Sequence, residues 1–477
     1  MSVVEKVPFK LFPLNKTPDN KYSFYASSPL INFQFQATGA RVVDPKSLRL
    51  CGRFRILDRD NTAANGENVL PANRFDRDGS ANPSPQTYEQ VAYISDRVGP
   101  SSCISSVSIS NMRGQLMEQV KSYGRMLSSL KASTASYRDY CSVNQNLWGS
   151  FANQNCIANA LSSDVPFAMP LRCGFLMEDQ PLSLANGGIK ITLNLANDAQ
   201  VLYGLSSAGF VYELRDLFLS GSYLVLDQPV APEKGQLIEY HQFYSYLNTL
   251  NSGLDHQNLN LNLKEVVSVY SNFTPSTWAS SYSYDGFSTP KIMNAGNIET
   301  DLQEVRFNRG ATMYPLTFPI RERTANSNDA FEAMRSRHFL NAIAGYANLT
   351  HSTLGAQSEA LTNYESDEKW VQGGATAAIN IYGTNQDVDR GDVNAWVFQN
   401  NNQWLKNGNV EKSGRVWGIG FRPDELLNDS TQDYSQAAYN YSIESGHDGV
   451  TPNSVYTFVL AKTQVFADGQ GGVVAAN

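Results

Sequence analysis

The sequence has few charged residues and no excess of positive charge. Charged side chains make up 17% of the 477 residues, and 37 Lys and Arg stand against 45 Asp and Glu, which gives a net charge of −8. Proteins that wrap nucleic acid need clustered positive charge, but residues 1–16 hold only Lys6, Lys10 and Lys16 against Glu5. We therefore expect no specific nucleic-acid binding.

Cysteine is scarce, and all five cysteines lie in the first 173 residues. Their odd number and irregular spacing argue against a disulfide framework and against a zinc site. We expect reduced thiols, packed in a core that is made in a reducing compartment. The cysteines are Cys51, Cys103, Cys141, Cys156 and Cys173.

Long apolar runs are absent too. Residues 1–14 contain no continuous apolar core, so no secretory signal peptide is expected. No stretch reaches the roughly 18 apolar residues that a membrane-spanning helix needs.

Signatures of catalysis are also missing. The sequence has no phosphate-binding glycine loop, no dinucleotide-binding glycine pattern and no H-E-x-x-H motif. Residues 204–208 (GLSSA) lack the second glycine of a nucleophile elbow. Residues 76–79 (DRDG) follow only part of a calcium-loop pattern, and residues 390–392 (RGD) are too short to be informative, so both are interpreted as turns.

Histidines and carboxylates show no local pairing either. The five histidines lie too far apart in sequence to form a local metal pair, and no pair of carboxylates stands out as in a glycosidase. We therefore predict that the protein is not an enzyme, with no catalytic, cofactor-binding or metal-binding residues and no cofactor. The histidines are His241, His256, His338, His351 and His447.

Alternation of apolar and polar residues is the dominant pattern that is present. In residues 189–195 (IKITLNL) every odd-numbered residue is apolar and every even-numbered one is polar, as in a strand with one buried face. Clusters of Gly, Pro, Asn and Ser separate many such short segments, which predicts an all-β sandwich architecture. The other predicted strands are 31–35, 48–57, 107–109, 211–219, 223–226, 259–263, 378–382, 416–421 and 455–460.

Two segments, 115–131 and 328–346, instead carry apolar stripes at helical spacing. Each predicted helix follows two or three strands of its half, which suggests two copies of one plan. The polar, proline-containing stretch 227–235 indicates the boundary between them. Long loops rich in aromatic residues, such as 272–297 and 348–373, are predicted to contact neighbouring subunits.

Several of these segments resemble a known family. Residues 166–174 (PFAMPLRCG) lead through Gln180-Pro-Leu182 into 187–195 (GGIKITLNL), and residues 454–460 (SVYTFVL) lead towards 471–474 (GGVV) near the C-terminus. This order is similar to that in the major capsid proteins of polinton-like viruses and virophages, which belong to the adenovirus and tailless-phage lineage. The helix predicted at 115–131 matches the family's inserted helix.

The resemblance implies a fold that is all-β with minor helices. It consists of two tandem eight-stranded jelly rolls, each with an inserted helix and long loops. Residues 1–230 would form the first jelly roll with an N-terminal arm, and residues 231–477 the second with a C-terminal tail.

The resemblance also implies a structural function. Three chains would form a homotrimeric, pseudo-hexameric capsomer that tiles the icosahedral shell of a tailless DNA virus, which places the protein in the virion. Neighbouring capsomers, penton proteins and minor or cement proteins would be its partners, and contact with an internal membrane is left open.

Two alternatives belong to other classes. A secreted or surface β-sandwich that binds carbohydrate or a receptor would suit the aromatic, Asn-rich loops, but it predicts a signal peptide or disulfides. A hydrolase on a β-sandwich predicts convergent carboxylates or histidines.

Overall fold

A computed structural model shows how these segments fold. It describes residues 3–15, 22–35, 41–58, 68–70, 93–94, 98–134, 165–177, 182–183, 188–203, 210–228, 236–251, 253–275, 287, 302–309, 311–314, 338–339, 341–343, 418–426, 431–445, 453–467 and 473–475.

Strands dominate the described residues. In chain order they are β1 (Val3–Leu11), β2 (Leu30–Phe35), β3 (Arg41–Asp58), β4 (Asn68–Leu70), β5 (Tyr93–Ile94), β6 (Ile104–Asn111), β7 (Leu116–Lys121), β8 (Val165–Pro170), β9 (Leu182–Ser183), β10 (Ile189–Leu195), β11 (Leu202–Tyr203), β12 (Phe210–Leu226), β13 (Gln236–Leu250), β14 (Gly253–Leu259), β15 (Val266–Pro275), β16 (Leu302–Arg309), β17 (Thr312–Tyr314), β18 (Gly418–Phe421), β19 (Tyr439–Ser445), β20 (Asn453–Ala467) and β21 (Val473–Ala475).

Helices are short and few in the described ranges. They are α1 (Tyr123–Thr134), α2 (Gly174–Met177), α3 (Asp198–Val201) and α4 (Pro423–Leu426), with a 3-10 turn at Gly99–Cys103 and further helical residues at 338–339 and 341–343.

The two halves have the same strand connectivity. In the first half, one sheet has the order β1-β12-β3-β8 and the facing sheet the order β2-β10-β6-β7. In the second half, β13-β20-β15-β18 faces β14-β19-β16-β17. We number the eight strands of these two sheets from one to eight in chain order within each half. Both halves then have the sheet orders 1-8-3-6 and 2-7-4-5. That is the pair of interlocked Greek keys of a jelly roll, so the prediction of two eight-stranded jelly rolls is confirmed.

Each jelly roll buries apolar side chains between its two sheets. In the first, β2 and β10 contribute alternate residues such as Phe33 and Ile191, which face Phe54 and Leu214 from the other sheet. A separate cluster, which includes Val269, Phe421 and Tyr441, fills the second. The period-2 pattern therefore corresponds to the buried face of each sheet.

The strand predictions succeeded where the alternation is regular. Residues 189–195 coincide with β10, and segments 211–219 and 223–226 are parts of the single strand β12. The strand predicted at 259–263 is wrong after Leu259, because β14 ends there and Asn262 has a φ of 55°. Residues 378–382 lie outside the described ranges.

The helix predicted at 115–131 is wrong in its first half. Residues Leu116–Lys121 form strand β7, and the helix begins only at Tyr123, after Ser122 with a φ of 52°. The turn before β7 is a hairpin turn that joins it to β6, and in this turn the Gly114 N–H donates to the Asn111 carbonyl at 3.0 Å. For the second predicted helix, the described residues 338–339 and 341–343 are helical.

Candidate functional site

The main feature outside the two cores is a buried seam between the jelly rolls. No described strand of one half pairs with a strand of the other. The apolar cluster of the first half nevertheless continues into the second, where it includes Tyr240, Phe243, Tyr270, Tyr456 and Phe458. The two jelly rolls therefore share one core across the seam.

Glu118 on β7 is the polar centre of this seam. Its side chain is buried, and its two carboxylate oxygens accept backbone N–H groups from Gly174 at 3.0 Å, Phe175 at 2.8 Å and Phe243 at 3.2 Å. Two of these donors start α2 in the first jelly roll, and the third lies on β13 in the second. A buried carboxylate is tolerable when several donors satisfy its oxygens, so Glu118 links the two halves.

Gly174 brings α2 against β13. A Cβ added at this position would overlap with the carbonyl group of His241, so only glycine permits the contact. β13 is the edge strand of its sheet, and edge strands expose unpaired backbone groups. Glu118 and Gly174 together cover that edge at Phe243 and His241.

Hydroxyl groups extend the seam along β13. The Tyr240 hydroxyl donates to the Met117 carbonyl at 2.7 Å, and Ser245 donates to the Lys121 carbonyl at 2.8 Å. Burial, and secondarily the negative charge of Glu118, raise the pKa of the Tyr240 phenol well above its usual value. Tyr240 therefore keeps its proton and remains a donor at neutral pH.

Helix α1 packs on the same sheet further along. The Tyr270 hydroxyl donates to the Met126 carbonyl at 3.2 Å, and the Asn272 amide donates to the Ser129 hydroxyl at 2.9 Å. The Arg125 guanidinium lies 5.2 Å from the ring centre of Tyr456 and 5.5 Å from that of Phe287. Buried cation–π contacts of this kind add to the apolar packing.

As a result, residues 455–461 of strand β20 are buried on both faces. Alternate residues such as Phe458 and Leu460 join the shared core, whereas Val455 and Val459 join the core of the second jelly roll. This explains the nearly continuous apolar run of the strand.

The corresponding sheet of the first jelly roll has a different outer face. We call it the cationic sheet face, formed by Lys10, Phe12, Arg49, Arg53, Arg215 and Phe218.

Its side chains are partly or fully exposed. Phe12 is 42% exposed, and the Arg53 side chain is 57% exposed. The ammonium of Lys10 lies 3.8 Å from the ring centre of Phe218. Acidic neighbours offset part of the charge, since Arg53 lies 3.9 Å from Asp216 and Glu213 is ion-paired with Arg55 and Arg215.

The histidines and short motifs that were tested as candidate sites do not come together in the described residues. His241 lies at the seam through its backbone, whereas His256 is exposed on β14. Residues 76–79, 204–208 and 390–392 lie outside the described ranges. Within those ranges, no group of three or more His, Cys, Asp or Glu could hold a metal ion, and no helix is long and apolar enough to cross a membrane.

The described residues of the predicted contact loop 272–297 contact the seam of their own chain. Residues 272–275 belong to β15, and Phe287 packs against α1 of the same chain. Residues 348–373 lie outside the described ranges. Three of the five cysteines, Cys51, Cys103 and Cys173, are described, and all three are free thiols.

Sequence reasoning missed Glu118. It lies directly opposite Ile109 in the β6–β7 pairing and in phase with Val120, so the available signal was a charged residue on the apolar face of an alternating segment. The helical interpretation of 115–131 concealed that signal.

The chain is similar to known proteins in its fold and not in its sequence. No protein-family model and no curated protein matches the sequence. VP54 of PBCV-1, whose crystal structure was fitted into a cryo-EM reconstruction of the virophage Sputnik, is similar with a TM-score of 0.51 and 10% identity, over 99% of this chain and 97% of that chain.

Two further structures are similar. The quasi-atomic model of the PBCV-1 virus capsid gives a TM-score of 0.50 at 10% identity, over 99% of this chain and 97% of that chain. The mavirus major capsid protein gives 0.47 at 12% identity, over 98% and 90%. On the strength of the two PBCV-1 comparisons and the strand order of its described residues, the chain has a double jelly-roll fold.

Proposed function

We propose that this protein is a major capsid protein that forms homotrimeric, pseudo-hexameric capsomers in the icosahedral shell of a tailless DNA virus. The observation that carries the proposal is the repeated 1-8-3-6 and 2-7-4-5 connectivity, joined by one buried seam. The full-length likeness to the PBCV-1 capsid structures supports it.

The seam explains how such a block would gain its shape. Two jelly rolls that share a core form a fixed unit, and three such units around a threefold axis present six jelly rolls. A closed threefold arrangement limits the size of the block, while its six-sided outline allows it to tile a surface.

The proposal includes the division of the chain and its further partners. We place the boundary between residues 230 and 231. The end of β12 at Leu226 and the start of β13 at Gln236 support this position. Penton proteins and minor or cement proteins are the expected partners beyond the trimer itself.

The direct test is the solution mass of the purified 52.7 kDa chain by light scattering after gel filtration. A capsomer predicts three copies, about 158 kDa, and hexagonal outlines in negative-stain images. A folded protein that stays monomeric at every concentration and salt condition would contradict the proposal.

A further inference from the structure

The cationic sheet face occupies the position in the first jelly roll that the seam covers in the second. Strands β1, β12, β3 and β8 correspond one by one to β13, β20, β15 and β18. In the second jelly roll, β7, α1 and α2 cover the edge and outer face of this sheet. In the first, the same outer face carries exposed cations and aromatic rings.

The edge strands differ in the same way. Among the described residues, no strand pairs with the outer edge of β1. Side chains on and after β1 expose apolar surface, with Val4 at 68% and Leu14 at 58% exposure. These apolar side chains lie at opposite ends of β1, on either side of the edge that no described strand covers.

The two short helices that follow the sixth strands suggest what covers this face. Helix α2 (GFLM) is apolar and docks on the apolar sheet of the second jelly roll. Its counterpart α4 (PDEL) contains two acidic residues, and Asp424 is exposed on it although it also forms an ion pair with Arg422 of the same chain. Each helix therefore matches the chemistry of one sheet face, apolar with apolar and acidic with cationic.

The overall charge of the halves agrees with this match. Residues 1–230 contain 21 Lys and Arg against 19 Asp and Glu, whereas residues 231–477 contain 16 against 26. A second jelly roll with this acidic excess is attracted to a cationic face, and such complementarity favours the correct register between partners.

We infer that the cationic sheet face binds the α4 region of the second jelly roll of another copy of this chain, in the manner in which α2 binds β13 within the chain. This contact rests on the proposed capsid function, because it joins successive copies around the threefold axis. The contact is between two charged surfaces, so a higher salt concentration should weaken assembly.

Charge reversal tests the contact. Lys10→Glu with Arg53→Glu should weaken the trimer at least about tenfold at low ionic strength, as measured by light scattering over a concentration series. Asp424→Lys should weaken it in the same direction. The neutral pair Lys10→Gln with Arg53→Gln gives a milder version for the case in which the reversals disturb folding.

Combining the two reversals in one chain is the decisive step. In a closed threefold ring, each of the three contacts then joins a glutamate-bearing face to a lysine-bearing α4, so attraction returns at every contact. The protein with Lys10→Glu, Arg53→Glu and Asp424→Lys together should regain the trimer that each reversal alone weakens. If each reversal weakens assembly but the combined protein does not regain it, the two surfaces do not meet and the inference is wrong.

The control is Lys462→Glu, which reverses an exposed lysine on β20 and should leave the trimer unchanged. Circular dichroism confirms folding of each variant.

If the wild type forms trimers and every reversal does as well, the inference fails and the proposed function stands. A monomeric wild type contradicts both. If the Lys10 and Arg53 changes abolish DNA binding but leave the trimer intact, a polyanion occupies the face and the inference is overturned.

Discussion

The eighth strands of the two jelly rolls, β12 and β20, occupy the same place in the same topology but have different surroundings. Residues 455–461 of β20 are buried on both faces, because elements of the first jelly roll cover their outer side. On β12, Leu217 and Leu219 are buried, but Asp216 is exposed and Phe218 only half-buried. A shared topology therefore fixes the core of each half, while the seam decides which outer faces become apolar.

The edge strands β13 and β1 repeat this difference. The edge of β13 is covered by a carboxylate and by a glycine contact, whereas β1 carries Pro8, Lys6 and Lys10. Proline and lysine are common means by which edge strands avoid unwanted pairing.

Gly174→Ala should have the largest effect, because it forces α2 away from β13. The added methyl group would overlap with the backbone carbonyl of His241, which cannot move without displacing the strand. We expect a loss of about 3 kcal/mol or more in the free energy of unfolding, measured by urea denaturation.

The matched control for this change is Gly221→Ala on β12. There the added Cβ meets the side-chain ends of Phe9 at 2.8 Å and Leu48 at 2.9 Å, which can shift. The control should cost less than the Gly174 variant. Equal losses would contradict the view that backbone contact defines the seam.

Glu118→Gln should destabilise the protein by about 2 kcal/mol. The substituted amide keeps the shape of the side chain but places an NH₂ group where the carboxylate accepts N–H donors from Gly174, Phe175 and Phe243. Scanning calorimetry measures the change. Glu239→Gln, which changes an exposed side chain of β13, is the control and should remain within about 0.5 kcal/mol. Similar values for both variants would mean that the seam does not depend on the charge.

Alkaline pH should distinguish the two halves. Burial raises the pKa of the Cys103 and Cys173 thiols above their ordinary value of 9.0. Because the folded-state pKa is raised, their contribution to stability is complete below the pKa of the unfolded thiol and is lost as pH rises above it. Each thiol should lower stability by about 1.4 kcal/mol per pH unit in that range.

The second half contains no cysteine, and the buried groups with raised pKa among its described residues are tyrosines. Burial raises the pKa of Tyr441 from its ordinary 10.0 to about 12. Its contribution should therefore be lost only from about pH 10 upward. Urea unfolding at successive pH values tests this order, and Cys173→Ala should reduce the slope just above pH 9. An unchanged slope would contradict the assignment.

Tyr240→Phe should have the smallest effect, about 1 kcal/mol, since it removes a single hydrogen bond to the Met117 carbonyl. Thermal unfolding followed by circular dichroism measures it. Tyr246→Phe, on the same strand but half-buried, should change stability less. The reverse order would show that the hydroxyl of Tyr240 contributes little to the seam.

Much of the fold could be predicted from the sequence, because regular alternation directly reports which face of a strand is buried. Residues 189–195 show this, as their pattern matches β10. Residues 115–131 show the limit. Leu116, Val120 and Tyr123 satisfy helical spacing, yet the first two lie on a strand, and the change occurs at Ser122 in a left-handed conformation that the sequence does not signal.

The seam could not be predicted for a different reason. Gly174 and His241 are far apart in the chain, and neither residue alone indicates contact between two backbones. Glu118 on an apolar face was a usable signal, but its donors come from two segments more than 50 residues away, so their identity depends on tertiary structure.

The pairing of β1 with β12 also has a consequence for how the chain is made. Val3 is paired with Leu226, so β1 is synthesised long before β12, the eighth strand of its jelly roll, with which it pairs. At about 5–20 residues per second, that interval is roughly 11 to 45 seconds. Throughout it, the apolar residues of β1 have no sheet to join, so we expect the nascent first jelly roll to be exposed to aggregation and sensitive to the rate of translation.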